Sequence, residues 1–180
     1  MMLVENVSNE IVAQGNNWII IGEGLLDEDE YEDKTKWSDH SIMIPLLFDF
    51  YHGIELLVKG FLIARDSEES GHDIKELCDR FKEIYSDEED SNSFLNKYTN
   101  EICIPPILKE FLAANGLKFG NLYEAFRYPL DLKFQREKTY QNLMYKGING
   151  LEFFHELKRD IEKIRYSAVK LGRSLEPIER

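Results

Sequence analysis

Residues 41–64, SIMIPLLFDFYHGIELLVKGFLIA, form the longest apolar segment of the chain with a helical pattern. Its apolar side chains recur every three or four residues, which is the period of one face of an α-helix. The members of this stripe are Ile44, Leu47, Tyr51, Ile54, Val58 and Phe61. A second apolar line beside it contains Gly53 and Gly60, each of which costs about 1 kcal/mol relative to alanine inside a helix. We therefore predict a central helix that another helix approaches closely at these glycines.

Capping residues predict where this helix and the next one begin. Ser41 can cap the N-terminus of the central helix, and Pro45 then lies near its first turn, where a missing N–H costs nothing. After a polar segment, another helix begins near His72-Asp73, because the Asp73 carboxylate suits the positive end of a helix dipole. The predicted buried stripe of that helix consists of Ile74, Leu77, Phe81 and Ile84.

The rest of the chain predicts further helices. Residues 3–21 have helical periodicity, weakened or bent at Gly15. Other segments with helical character are a weaker one around 94–98, one that opens at Pro105-Pro106 and stops at Asn115-Gly116, and a short one at 121–126. A final helix over about 148–172, with Gly172 as its stop, carries a heptad-like seam. The seam residues are Phe154, Leu157, Ile161, Ile164, Ala168 and Leu171.

These segments predict an all-α protein, an up-and-down helical bundle with short extra helices. We expect a single domain over residues 1–173 and a C-terminal tail at 174–180. Residues 130–146 are ambiguous and could form a small extended segment. The final seam is expected to pack along a neighbouring long helix or against a second copy of the chain, and a homodimer is predicted.

The charge of the chain is strongly acidic. There are 34 Asp and Glu against 22 Lys and Arg, a net charge of −12. This balance argues against a wide binding surface for duplex DNA, although a small basic pocket remains compatible with it. Much of the acid lies in residues 27–33 and 87–90, which we interpret as solvated loops.

Two cysteines, Cys78 and Cys103, form no CxxC pair and no cluster with histidine. We therefore expect neither a metal site, a cofactor nor a disulfide, and we expect a reducing compartment. The N-terminus has no basic region followed by an apolar run, and the longest apolar stretch is interrupted by polar residues. A cytoplasmic protein that does not contact membranes is predicted.

One polar group stands out on the central helix. His52, Glu55 and Lys59 share a face at positions i, i+3 and i+7, and Glu55 to Lys59 is the favourable order for an ion pair. These residues are interpreted either as an exposed strip or as the lining of a polar cleft.

Two arginines extend the set of candidate residues. Arg65 and His72 could together support metal-independent RNA cleavage, with proton transfer by the histidine and charge stabilisation by the arginine. Alternatively, both are ordinary loop and helix-start residues. Arg127 could hold a phosphate or a carboxylate by its forked geometry, and Tyr128 could stack a base. Alternatively, Arg127 pairs with a nearby acid such as Glu124 or Asp131, and Tyr128 covers the core.

The order of three short motifs resembles the HEPN family of helical domains. The motifs are HGIELLVKGFL at residues 52–62, GHDIKEL at 71–77 and FRYP at 126–129. The last is similar to a segment of family members that accompany minimal nucleotidyltransferases. The resemblance spans about residues 42–130, and it implies a helical bundle, frequent dimerisation, and roles in RNA cleavage, nucleotide binding or bacterial defence.

Many HEPN members are ribonucleases with a late Arg–His motif, whereas no histidine follows Arg127 until His155. We therefore assign no catalytic residue. We expect a domain that binds a nucleotide, RNA or a partner protein, in a bacterial defence or toxin–antitoxin-like system. The alternatives are a metal-independent ribonuclease and a structural dimerisation module without a ligand. The predicted ligand-binding residues are His52, Glu55, Lys59, His72, Arg127 and Tyr128.

Overall fold

The fold is an all-helical bundle, as predicted. A computed structural model describes residues 10–15, 17, 40–65, 71–87, 95–127, 143 and 148–175. These residues contain seven α-helices and no strand. The helices are α1 (residues 10–15), α2 (His40–Ala64), α3 (Ile74–Ile84), α4 (95–99), α5 (Pro106–Asn115), α6 (Leu122–Arg127) and α7 (Ile148–Leu175). Apart from Leu143, the predicted extended segment at 130–146 lies outside the described residues.

Helix α2 is the centre of the bundle and contacts α3, α6 and α7. Five of its six predicted stripe residues are buried, and Ile44 packs against the core from a partly buried position. The predicted start of the helix was wrong. The helix begins at His40, so Ser41 is helical rather than a cap, and Pro45 lies inside the helix beyond its first turn. At that position proline removes the N–H that would bond to the Ser41 carbonyl.

Of the two α2 glycines at which a close helix approach was predicted, Gly53 and Gly60, the structure shows one at the carbonyl oxygen of Gly53. A Cβ atom placed on Gly15 of α1 would lie 2.7 Å from the backbone nitrogen of Leu57 and 2.8 Å from the carbonyl oxygen of Gly53. Only a residue without a side chain fits there, because real Cβ atoms do not approach other atoms so closely. Gly15 therefore allows α1 to rest directly on the backbone of α2.

Helices α2 and α3 run in the same direction. Just before α3 begins, His72 bonds to Glu55 of α2. Just after α3 ends, the Tyr85 hydroxyl donates a 2.8 Å hydrogen bond to the carbonyl of Phe61, further along α2. This pair therefore departs from strict up-and-down alternation, and it places the start of α3 beside the middle of α2.

The two ends of α3 are defined by Asp73 and Tyr85. The Asp73 carboxylate caps the helix by accepting hydrogen bonds from two backbone N–H groups of the first turn, at 2.9 and 3.2 Å. Three of the four predicted stripe residues are buried, but Ile84 is 39% exposed, so its predicted burial was wrong. The Tyr85 ring takes the inner position instead, stacked on Phe81 with 4.8 Å between ring centroids.

Helices α4 and α7 are joined through a buried carboxylate. Asp160 of α7 accepts hydrogen bonds from the Tyr98 hydroxyl at 2.8 Å and from Lys97 at 2.5 Å. Tyr98 in turn accepts a bond from the Tyr51 hydroxyl of α2 at its backbone oxygen. This chain of bonds fixes α4 between α2 and α7.

The seam of α7 packs within the chain. All six of its predicted residues are buried. Three of them line an apolar cavity of about 20 Å³ together with residues of α2 and α3, namely Ile164, Ala168 and Leu171 with Leu57, Phe61 and Phe81. The seam was predicted to pack either along a neighbouring long helix or against a second copy of the chain. The structure shows it packed against helices of the same chain. A homodimer would have to use another face.

The predicted stop of α7 at Gly172 was wrong, because the helix continues to Leu175. A glycine costs only about 1 kcal/mol inside a helix, which the burial of Leu171 can offset. Gly116, by contrast, stops α5 as predicted, since it adopts the left-handed conformation with φ of 61°. The helical end of α7 also lies two residues beyond the predicted domain boundary at 173.

Candidate functional site

The candidate site is built around the carboxylate of Glu55. This side chain projects from the middle of α2 and is only 3% exposed. Its Oε1 atom accepts a hydrogen bond from Lys59 Nζ at 2.7 Å and lies 2.8 Å from Nδ1 of His72. Lys59 is held because it lies one turn further along α2, and His72 is held because α3 begins beside α2. One buried oxygen thus fixes two side chains that come from different elements.

The contact with Glu55 determines which nitrogen of His72 carries a proton. A carboxylate oxygen can only accept, so Nδ1 must be protonated when it bonds to ionised Glu55. The neutral ring then has its lone pair on Nε2, and the side chain is 79% exposed. Lys59 Nζ lies 3.4 Å from the same Nδ1. Since both atoms are donors, this proximity reflects a shared acceptor and not a bond between them.

The pKa of the Glu55 carboxyl group lies below the ordinary value of a glutamate. Its burial raises the pKa, but the hydrogen bonds and charges of Lys59 and His72 outweigh burial, and the net result is a pKa below the ordinary value. A carboxylate anion is therefore held at the base of the site throughout the neutral range.

The second oxygen of Glu55 has an unusual environment. Oε2 is buried, and no hydrogen-bond donor reaches it from the described part of the chain. Nδ1 of His52 lies 3.6 Å from it, which is too long for a hydrogen bond. The same nitrogen lies 2.9 Å from the hydroxyl of Tyr123 on α6. His52 therefore stands between the orphaned oxygen and α6.

Aromatic packing holds His52 in this place. Its ring is nearly parallel to the ring of Tyr123, with 3° between the planes and 6.0 Å between the centroids. Phe48, one turn earlier on α2, stacks on both rings at 5.5–5.7 Å. Three nearly parallel rings thus form one wall of the site. Tyr123 was not predicted as a site residue, because it is 71 residues away from His52 and belongs to no recognisable motif.

The structure brings together four of the six predicted ligand-binding residues. His52, Glu55, Lys59 and His72 meet around one carboxylate. Arg127 is exposed at the C-terminal end of α6, and it is not among the groups that bond to Glu55. Tyr128 lies outside the described residues.

The position of Arg127 follows from the course of α6 along α2. Gly120, in the 3₁₀ turn before α6, lies beside Asp73, since a Cβ on it would be 3.2 Å from Asp73 Oδ2. Tyr123 is beside His52, and Phe126 stacks on Tyr51 at 5.9 Å. Helix α6 therefore leads away from His72, and Arg127 is at its far end.

The alternative pairing of Arg65 with His72 is not formed. The Arg65 guanidinium lies over the ring of Tyr85, 5.5 Å from its centroid, at the C-terminal end of α3. His72 precedes the N-terminal end of the same helix. An 11-residue helix separates the two, a length of roughly 16 Å at 1.5 Å per residue. A reaction that needs both groups on one phosphate is thus excluded by this arrangement.

Other kinds of site find little support in the described ranges. They contain no group of three or more His, Cys, Asp or Glu residues placed to hold a metal ion. The apolar cavity beside α7 has room for about one water molecule. None of the described helices is both long enough and apolar enough to cross a membrane.

Searches against models of protein families, curated proteins and solved structures found no match for this chain.

Proposed function

We propose that this chain is a HEPN-like helical domain that binds the phosphate group of a nucleotide or of RNA over His72 and Lys59. One observation carries the proposal: the buried Glu55 carboxylate holds both side chains through a single oxygen. Preorganised donors bind an anion at a lower entropic cost than mobile ones. Charge-assisted hydrogen bonds to phosphate are also about twice as strong as neutral ones.

The chemistry of the two side chains suits an anion. The Lys59 ammonium has three N–H donors, and one of them is used by Glu55. His72 adds an Nε2–H donor when it takes up a proton, and its side chain is the exposed member of the group. The Glu55 charge balances Lys59, so a protonated His72 leaves one positive charge for the ligand. This local balance is compatible with a chain whose net charge is −12.

The test is a calorimetric titration of the full chain with inorganic phosphate, with 5′-AMP and with a short single-stranded RNA, all in EDTA. His72→Ala removes an exposed side chain and should weaken binding roughly 10- to 100-fold, the equivalent of one lost charged hydrogen bond. His155→Ala is the matched control, because His155 is an exposed histidine on α7. Absence of binding by the wild type, or equal loss in both variants, would overturn the proposal.

A metal-independent ribonuclease is the second candidate. It is favoured by the protonated Nδ1 of His72, which leaves Nε2 as a proton acceptor on an exposed ring. Cleavage of RNA in EDTA that is lost in His72→Ala and retained in His155→Ala would support this function. Binding of RNA without cleavage would support the binding function alone.

A further inference from the structure

The least explained feature of the site is the second oxygen of Glu55. A buried charged oxygen without a donor costs considerable free energy, so native structures rarely keep one. Here Oε2 belongs to a side chain that is only 3% exposed, and the described residues give it no hydrogen-bond donor. The group that faces it is His52 Nδ1, and the Tyr123 hydroxyl faces that nitrogen from α6.

The bond between Tyr123 and His52 can be formed in two ways. Either the Tyr123 hydroxyl donates to a bare Nδ1, or Nδ1–H donates to the Tyr123 oxygen. In the first arrangement a nitrogen lone pair lies 3.6 Å from a carboxylate anion, which is repulsive. In the second arrangement the N–H donates to the Tyr123 oxygen, and the positive end of the group lies near the carboxylate anion, which is attractive. A ring shift of roughly half an ångström would bring Oε2 within bonding distance of Nδ1.

We propose that His52 and Tyr123 are positioning residues of the site, with the proton of His52 held on Nδ1 by Glu55 Oε2. The carboxylate then has one imidazole N–H on each oxygen, from His72 at Oε1 and from His52 at Oε2. Because the two oxygens are parts of one rigid group, His52 fixes the rotation of the carboxylate that presents His72 and Lys59. Neither His52 nor Tyr123 needs to touch the ligand.

In this arrangement each group around His52 has a distinct role. Glu55 on α2 attracts the N–H, and Lys59 compensates the carboxylate charge from the other side. Tyr123 on α6 accepts part of the same N–H and links α6 to the site. Phe48 stacks on the rings of both His52 and Tyr123.

The first test does not depend on any ligand. Nitrogen–proton correlation spectra of the imidazole rings are recorded on the full chain at a pH where the histidines are neutral. The proposal predicts that His52 carries its proton on Nδ1, with an unprotonated Nε2. A proton on Nε2 with a bare Nδ1 would show that Tyr123 is the donor, and the proposal would be wrong.

The second test rests on the proposed phosphate site and uses matched variants of His52. His52→Phe keeps a ring to stack on Phe48 and Tyr123 but removes the donor, and it should weaken binding of 5′-AMP by about tenfold or more. His52→Asn should bind 5′-AMP better than His52→Phe does and about as well as the wild type, because the asparagine amide nitrogen occupies nearly the place of Nδ1. If His52→Phe binds as the wild type does, or if His52→Asn fails to restore binding in a folded protein, the positioning role is refuted.

The two tests also separate this inference from the proposed function. If the wild type does not bind phosphate, the proposed function is refuted. The position of the proton on His52 still tests whether His52 donates toward Glu55. Conversely, if Nδ1 of His52 carries no proton in a protein that binds 5′-AMP, the proposed phosphate site still stands. Only the positioning role of His52 is then refuted.

Discussion

The Glu55 carboxylate and the His72 imidazole, 17 residues apart, meet at 2.8 Å where α3 begins beside the middle of α2. The contact places the start of α3 at the level of Glu55, and together with the Tyr85–Phe61 bond it shows that the two helices run in the same direction. A buried anion thereby holds an exposed ring. This relationship organises the site and makes its stability and its pH dependence testable.

The Glu55–Lys59 pair should be sensitive to which partner is changed. Lys59→Met leaves a buried carboxylate without its cation and should lower the free energy of unfolding by about 2–4 kcal/mol. Glu55→Gln removes the charge but keeps an oxygen acceptor, so its cost should be clearly smaller. Urea unfolding of the two variants measures the difference. Equal losses would mean that the pair does not act as a buried ion pair.

Glu55 should contribute to acid sensitivity. Its pKa is lower in the folded state than the ordinary value of 4.5. A carboxyl group with a depressed folded pKa stabilises the protein above its unfolded pKa, and this stabilisation is lost as the pH falls through the folded pKa. The wild type should therefore lose stability more steeply than Glu55→Gln below about pH 4.5.

The comparison between these two proteins isolates Glu55. Asp160 and Asp79 also have lowered pKa values and give pH dependence of the same sign, but they are present in both proteins. Parallel stability curves between pH 5 and 3 would contradict the assigned role of Glu55.

Asp49 should have the opposite pH dependence. Burial raises the pKa of this α2 carboxyl group to about 6. The folded state then binds more protons than the unfolded state, so Asp49 lowers stability as the pH rises from about 4 to about 6. Asp49→Asn should remove that decline and stabilise the protein at pH 7 by about 1–2 kcal/mol. A variant that is no more stable at pH 7 would refute this interpretation.

Two glycines should respond in opposite ways to alanine. Gly15→Ala places a Cβ against the backbone of α2, so it should cost about 1–3 kcal/mol. Around Gly172 of α7 no atom lies within 4 Å of an added Cβ, and Gly172→Ala should gain about 0.5–1 kcal/mol from helix propensity. Thermal or urea unfolding checks both. A neutral Gly15→Ala would contradict the close packing of α1 on α2.

The helices were predictable from sequence to the extent that their signals are local. The stripe of α2 and the seam of α7 were read from periodicity, which depends on residues three and four apart. The ends were less predictable. Gly116 and Gly172 are the same residue type. Gly116 takes a left-handed conformation and stops α5, whereas α7 continues past Gly172, where the packing of Leu171 stabilises the helix.

The site was predictable where its residues share one face of a single helix. His52, Glu55 and Lys59 were read from their spacing, and His72 was read from the residues around it. The actual contact between Glu55 and His72, and the whole role of Tyr123, depend on how α3 and α6 pack on α2. No spacing in the sequence encodes these long-range contacts. For the same reason the sequence left open whether Arg65 and His72 lie together, and the structure separates them by the length of α3.

In the proposed function, Glu55 holds His72 and Lys59 in place for a phosphate group. The His72 ring nitrogens can be followed by NMR while 5′-AMP is added to the full chain in EDTA. We expect that Nε2 of His72 shifts on saturation, that His155 does not, and that Glu55→Gln weakens the affinity about tenfold. A His72 ring that is unchanged at saturating 5′-AMP, or an affinity that is the same in Glu55→Gln, would refute the proposed function.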